Sequence, residues 1–224
     1  MPRENAEARS RRLNIILAEL GKLYPDAYCA LTHRNAYELL VATILSAQCT
    51  DARVNMVTPA LFKKYPTPHD LAQADMRELE SMIQSTGFFR SKAKSLKEST
   101  SDIVNKHGGE VPQTMEALTA LRGVGRKTAN VVLGNAFGIN VGVVVDTHVG
   151  RLSLRLGFTK QTDPVKVEQD LVRIVPQRDW TVFSHRMIFH GRKICEARKP
   201  KCGICPLLAH CPAGQKFMAA AKND

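Results

Sequence analysis

The chain has 224 residues, 44% of them hydrophobic and 24% charged, a balance that excludes a wholly disordered or fibrous protein and leaves enough length to bury a core. Its 32 Lys and Arg against 21 Asp and Glu give a net charge of +11, which points to a polyanionic partner, nucleic acid first, or else to a solubilising surface. The longest apolar runs, Leu39–Leu45 and Val141–Val145, are too short to span a bilayer, and no charged-then-apolar leader opens the chain, so neither a membrane nor a secretory role is expected.

Helical periodicity dominates the pattern. Leu13, Ile16, Leu17 and Leu20 share one face of a helix ending near Tyr24-Pro25, and Leu39, Leu40, Thr43 and Ile44 mark a second that is apolar on several sides. Met76, Leu79, Met82 and Ile83 predict a third, ending at Gly87. Ala93 to Val104 predict a fourth, closed by His107-Gly108-Gly109. Thr114 precedes a short helix over 115–121. Asp163-Pro164 opens a helix to Val175-Pro176, and Asp179 opens another that Gly191 should stop. Only Val141–Val145 reads as a strand, and one strand has no partner, so the fold class is all-α.

Arg122-Gly123-Val124-Gly125 breaks the short helix, and Arg126-Lys127 starts a new one. Two glycines around one valine let the chain reverse sharply, with the valine plugging between the helices. Backbone N–H groups at the second helix's positive end then face a phosphate, a helix-hairpin-helix clamp for a DNA backbone. Lys127 stands where a helix favours carboxylates. The dipole and Arg126 both favour loss of its proton, leaving an amine that can act as a nucleophile; the plainer reading is a phosphate-binding lysine. Asp146-Thr147-His148 precedes Val149, Leu152 and Leu156 at helical spacing. Asp146 reads as an N-cap, or as the carboxylate that completes a nucleophile–base pair.

Six cysteines in a leaderless chain are expected to be reduced. Cys29 and Cys49 stand apart, whereas Cys195, Cys202, Cys205 and Cys211 supply four thiolates at spacings of six, two and five intervening residues. That set suits tetrahedral Zn²⁺ or a [4Fe–4S] cube, and a single C-x2-C knuckle leans towards the cube. Arg198, Lys199 and Lys201 in the first interval make the loop a second candidate phosphate contact.

L-x-G-V-G-R-K-T-A-N-V-V-L (Leu121–Leu133), V-D-T-H-V (Val145–Val149), H-G-R-x-x-C-x6-C-x2-C-x5-C (His190–Cys211) and L-S-A-Q-x-T-D (Leu45–Asp51) together closely resemble endonuclease III, over about residues 11–212. The resemblance implies two helical lobes with a DNA-binding cleft between them, one over 29–140 and one joining 1–28 to 141–224. It implies a bifunctional glycosylase and abasic-site lyase of base excision repair, acting on double-stranded DNA with an oxidised pyrimidine or abasic site. Lys127 matches the family's nucleophile, Asp146 its catalytic carboxylate and Gln48 the residue that fills the hole left by an extruded base. The four cysteines match its [4Fe–4S] ligands. Phe88 is the candidate wedge, and Arg90, Gly123, Gly125, Arg126, His148, Arg198, Lys199 and Lys201 are candidate DNA contacts. A cytoplasmic, nucleoid-associated monomer is expected.

Arg122 departs from the family's usual proline, Phe88-Phe89-Arg90 from a Leu-Tyr-Asn type run and Cys49 from alanine, while the loop at 138–144 is one residue longer than usual. A monofunctional mismatch glycosylase would lack the lysine at 127, and a non-catalytic DNA-binding module would use only the hairpin and a structural metal. The positive charge concentrates in residues 141–224, where 14 Lys and Arg face 7 Asp and Glu, with four further cations in Arg90–Lys97. Binding through the DNA backbone should therefore weaken steeply with salt.

Overall fold

A computed structural model describes residues 4–220. In chain order its helices are α1 (Ala6–Leu23), α2 (Ala36–Leu45), α3 (Asp51–Lys64), α4 (Pro68–Ala72), α5 (Met76–Ile83) and α6 (Phe89–His107). They continue with α7 (Met115–Ala120), α8 (Arg126–Phe137), α9 (Thr147–Leu156), α10 (Pro164–Val172), α11 (Trp180–Lys193) and α12 (Pro212–Ala220). The described residues contain no strand, in keeping with the all-α class. The chain divides into two units, one over 29–141 and one joining 1–28 to 142–224.

Short polar side chains set the helix starts. Asn5, Asn35, Thr50, Thr67, Asp75, Thr114, Asp146 and Asp163 each accept the N–H three residues on. α6 and α8 begin instead on Phe88 and Gly125, with no side-chain cap.

In the unit over 29–141, α2 is the central element, with every residue from Tyr37 to Leu45 buried. A helix apolar all round must sit inside, and α2 packs on α3, α6 and α8. Each fully buried leucine or isoleucine there, such as Leu39, Leu61, Leu79 or Ile83, contributes about 1.5–3 kcal/mol. Glu38 is the one carboxylate inside α2, and the Arg34 guanidinium, 2.6 Å away, compensates its charge. Gly108 and Gly109 end α6 with positive φ as expected, whereas α5 ends at Ile83, short of Gly87, and a 3-10 turn over Gln84–Thr86 carries the chain to Gly87 at φ +71.

In the other unit, the predicted stripe of α1 buries Leu13, Ile16 and Leu20, and Phe158 meets Phe183 edge-on at 5.8 Å. Three expectations fail here. The run over 141–145 is irregular backbone; Val143 and Val144 are buried, but the Val144 N–H donates to the Ser184 hydroxyl at 3.1 Å where a strand would find another strand. The helix from Pro164 ends at Val172, short of Val175. Gly191 does not stop α11, which runs on to Lys193. Gly191 is needed for closeness instead: a Cβ there would lie 2.7 Å from His148 Nδ1 and 3.1 Å from an Arg151 nitrogen.

Candidate functional site

The hairpin forms from very few special positions. Leu121 leaves α7 in an extended conformation, and Gly123 takes φ +77, with a hypothetical Cβ only 2.8 Å from Ser95 Cβ. Glycine is required there on both counts. Val124 is buried, as its plugging role predicts. Gly125 differs from the expectation for a paired glycine turn, since its φ of −91 is open to any residue and a Cβ would meet no atom within 4 Å. The free space over Gly125 faces outward, beside Arg126 and Lys127, the first two residues of α8 and both exposed. Arg122 pairs with Glu98 of α6 at 3.1 Å, so the arginine replacing proline ties the hairpin to α6 by charge.

Gln48 and Phe88 are the two non-glycine residues with positive φ among the described residues, at +53 and +48. Both are exposed, Phe88 by 64%. Such backbone costs about 1–3 kcal/mol and persists where surrounding structure enforces it. Arg90 is exposed and its guanidinium lies 5.5 Å from the Phe89 ring centre. Lys92, counted by sequence among the four cations of Arg90–Lys97, is no surface charge: it is 5% exposed, and Nζ donates to the Leu45 and Thr86 carbonyls.

Lys127 belongs to the unit over 29–141 and Asp146 to the other. Asp146 is the N-cap of α9: Oδ1 accepts the Val149 N–H at 2.8 Å, leaving Oδ2 outside the cap. His148, half-buried, has Nδ1 3.2 Å from Arg151 Nη2. That guanidinium also donates to the Gly191 and Cys195 carbonyls. One turn on, Arg155 donates to the Glu196 and Ala197 carbonyls at 2.7 Å and to Cys195 Sγ at 3.3 Å. The start of the cysteine loop is thus fastened to the helix that Asp146 caps. Sequence reading passed over Arg151 and Arg155, although their i, i+4 spacing opposite Val149, Leu152 and Leu156 was the available signal.

Cys195, Cys202, Cys205 and Cys211 line one recess, together with His190, Leu152 and Leu208. Among the described residues no group of three or more His, Cys, Asp or Glu is placed to hold a single metal ion. The sulfurs also have hydrogen-bond donors of their own. The Gly214 N–H lies 3.2 Å from Cys211 Sγ, and His190 Nε2 lies 3.5 Å from Cys205 Sγ. Burial pushes the His190 pKa down to about 4, so the ring is neutral, and donation from Nε2 leaves Nδ1 to accept the Tyr24 hydroxyl at 3.0 Å. Burial and neighbouring thiolates push the Cys202, Cys205 and Cys211 thiols up, which is the repulsion a bound cationic centre would relieve. Four soft sulfurs lining one recess, shielded by Leu152 and Leu208 and supplied with N–H donors, fit an iron–sulfur cube. Of the loop cations, Arg198 and Lys199 are exposed, whereas Lys201 pairs with Glu196 at 2.8 Å and donates to the Lys193 carbonyl.

Residues 41–177 match the family described as HhH-GPD superfamily base excision DNA repair protein, and residues 195–211 match the iron-sulfur binding domain of endonuclease III. Fold and hairpin therefore define a helix-hairpin-helix base excision repair protein. The chain is 57% identical over 208 residues to endonuclease III of Synechocystis sp., covering 93% of this chain and 95% of the relative, and 48% identical to that of Bacillus subtilis, covering 92% and 94%. A trapped covalent endonuclease III–DNA intermediate superimposes with a TM-score of 0.89 at 48% identity, over 93% of this chain and 98% of that one. The chain belongs to the endonuclease III family: a bifunctional DNA glycosylase and abasic-site lyase of base excision repair that carries a [4Fe–4S] cluster. Among the described residues no helix is long and apolar enough to cross a membrane.

Proposed function

We propose that this enzyme removes oxidised pyrimidines from double-stranded DNA, with Lys127 as nucleophile and Asp146 as catalytic carboxylate, and that it also cleaves at abasic sites. The observation that carries this reading is the exposed Lys127 amine, second residue of an uncapped helix that follows a hairpin with open space over Gly125. A phosphate at that helix start would accept N–H groups that elsewhere in the chain go to Asn, Thr or Asp caps. Gly123 shapes the turn, Gly125 admits the backbone, and Arg126 adds charge.

The damaged nucleotide must leave the stack before C1′ can be reached. Gln48 fills the vacated space and Phe88 wedges the stack, which offsets part of the unstacking cost. Arg90 and His148, with Arg198, Lys199 and the outer face of Lys201, contact the strands. The Lys127 amine attacks C1′ as the glycosidic bond breaks, and the base leaves with the bonding electrons and takes up a proton. Asp146 accepts the amine's proton and steadies positive charge on the sugar. Opening of the sugar ring gives an imine between Lys127 and C1′. Loss of a C2′ proton then expels the 3′ phosphate, cutting the strand by β-elimination.

Cys195, Cys202, Cys205 and Cys211 hold the [4Fe–4S] cluster, which cross-links the loop and takes no part in bond breaking. The enzyme acts as a cytoplasmic, nucleoid-associated monomer. Borohydride trapping on duplex carrying an oxidised pyrimidine tests the assignment: wild type gives a covalent adduct and Lys127→Ala gives none, with strand cleavage reduced at least about 1,000-fold. An equal adduct from Lys127→Ala would overturn it.

A further inference from the structure

We propose that Lys92 is a positioning residue for base extrusion, its ammonium tying together the two segments that present Gln48 and Phe88. Those residues lie forty positions apart, yet both have positive φ and both are exposed. Lys92 Nζ donates at 2.8 Å to the Leu45 carbonyl, three residues before Gln48, and at 2.8 Å to the Thr86 carbonyl, two residues before Phe88. Its backbone N–H donates to the Phe88 carbonyl at 3.0 Å. One residue thus touches the support of both strained positions.

Placement of this lysine is costly in its own helix. Lys92 stands in the first turn of α6, where the dipole opposes a cation, and burial lowers its pKa against the pull of Cys49. The same ammonium lies at the carbonyl end of α2, where a cation is favoured. An apolar side chain would serve packing alone at lower cost. What it could not do is join the end of α2 to the turn before α6. The inference rests on reading Gln48 and Phe88 as the residues that fill and wedge the stack. With their supports linked, insertion of one presents the other, so the two act as one preorganised unit.

Double-mutant cycles on single-turnover excision from duplex DNA test the link. Gln48→Ala and Phe88→Ala should each slow excision about tenfold or more, and together by less than the product of the two. In a Lys92→Met background, which keeps the buried methylenes but not the donor, their effects should become multiplicative. Lys92→Arg, which retains charge and donors, should restore the coupling. Cleavage of a single-stranded abasic site, which needs no filler, should keep its rate in Lys92→Met to within about twofold. Coupling that survives Lys92→Met, or loss of duplex and single-strand activity in parallel, overturns the link alone. Unchanged excision in both Gln48→Ala and Phe88→Ala overturns the filler reading, and the link with it.

Discussion

The hairpin over 121–127 and the cysteine loop over 195–211 both carry exposed cations, yet they are built by different means. The hairpin is shaped by a few local residues: one glycine at positive φ, one buried valine and one half-exposed ion pair. The loop has almost no regular structure and is held by side chains and a cofactor, with Arg151 and Arg155 fastening its start and four thiols facing a common recess. A hairpin can be specified by a few residues because φ and packing are local. A loop of this length has no core of its own, so it needs cross-links.

Breaking the cofactor side should have the largest effect. Cys205→Ser should lower the iron content of the purified enzyme, bleach its visible absorbance and cost several kcal/mol in thermal unfolding, while the hairpin in the other unit stays intact. Gly123→Ala comes next. The φ of +77 and the 2.8 Å approach to Ser95 should cost about 1–3 kcal/mol by denaturant unfolding, and Ser95→Gly should recover part of it. Gly125→Ala separates fold from function: its stability should change by no more than about 0.5 kcal/mol, yet DNA affinity by fluorescence anisotropy should drop about tenfold as the methyl group meets the phosphate. Arg122→Ala should matter least, below about 1 kcal/mol, because its pair with Glu98 is half in water.

Much of this molecule was legible in its sequence, for physical reasons that differ by element. α1, α5 and α6 announced themselves because buried faces repeat every three to four residues, and α2 because it is apolar on several sides. α3 gave no such notice: its polar stretch and internal Pro59 blur the period, although Thr50 caps it well. Val141–Val145 misled because a β-branched apolar run says "buried" without saying what the backbone bonds to, and here a serine hydroxyl takes one N–H. At the proposed site, Lys127, Asp146 and the cysteines stood out through their resemblance to the family's motifs, since spacing alone read Asp146 as an N-cap, which it is. Positive φ at Gln48 and Phe88 was not, since neither residue type demands it. Nor was the burial of Lys92, whose carbonyl partners are set by the meeting of α2 and α6.

Gly191 carries one more consequence. It touches no reacting group and was expected only to end a helix, yet any side chain there would press on His148 and Arg151, the first and second turns of the helix capped by Asp146. In a saturation screen for repair, position 191 would therefore score like a member of the reaction centre, although its contribution is empty space. A tolerance map of this enzyme marks where atoms must be absent as sharply as where they must be present.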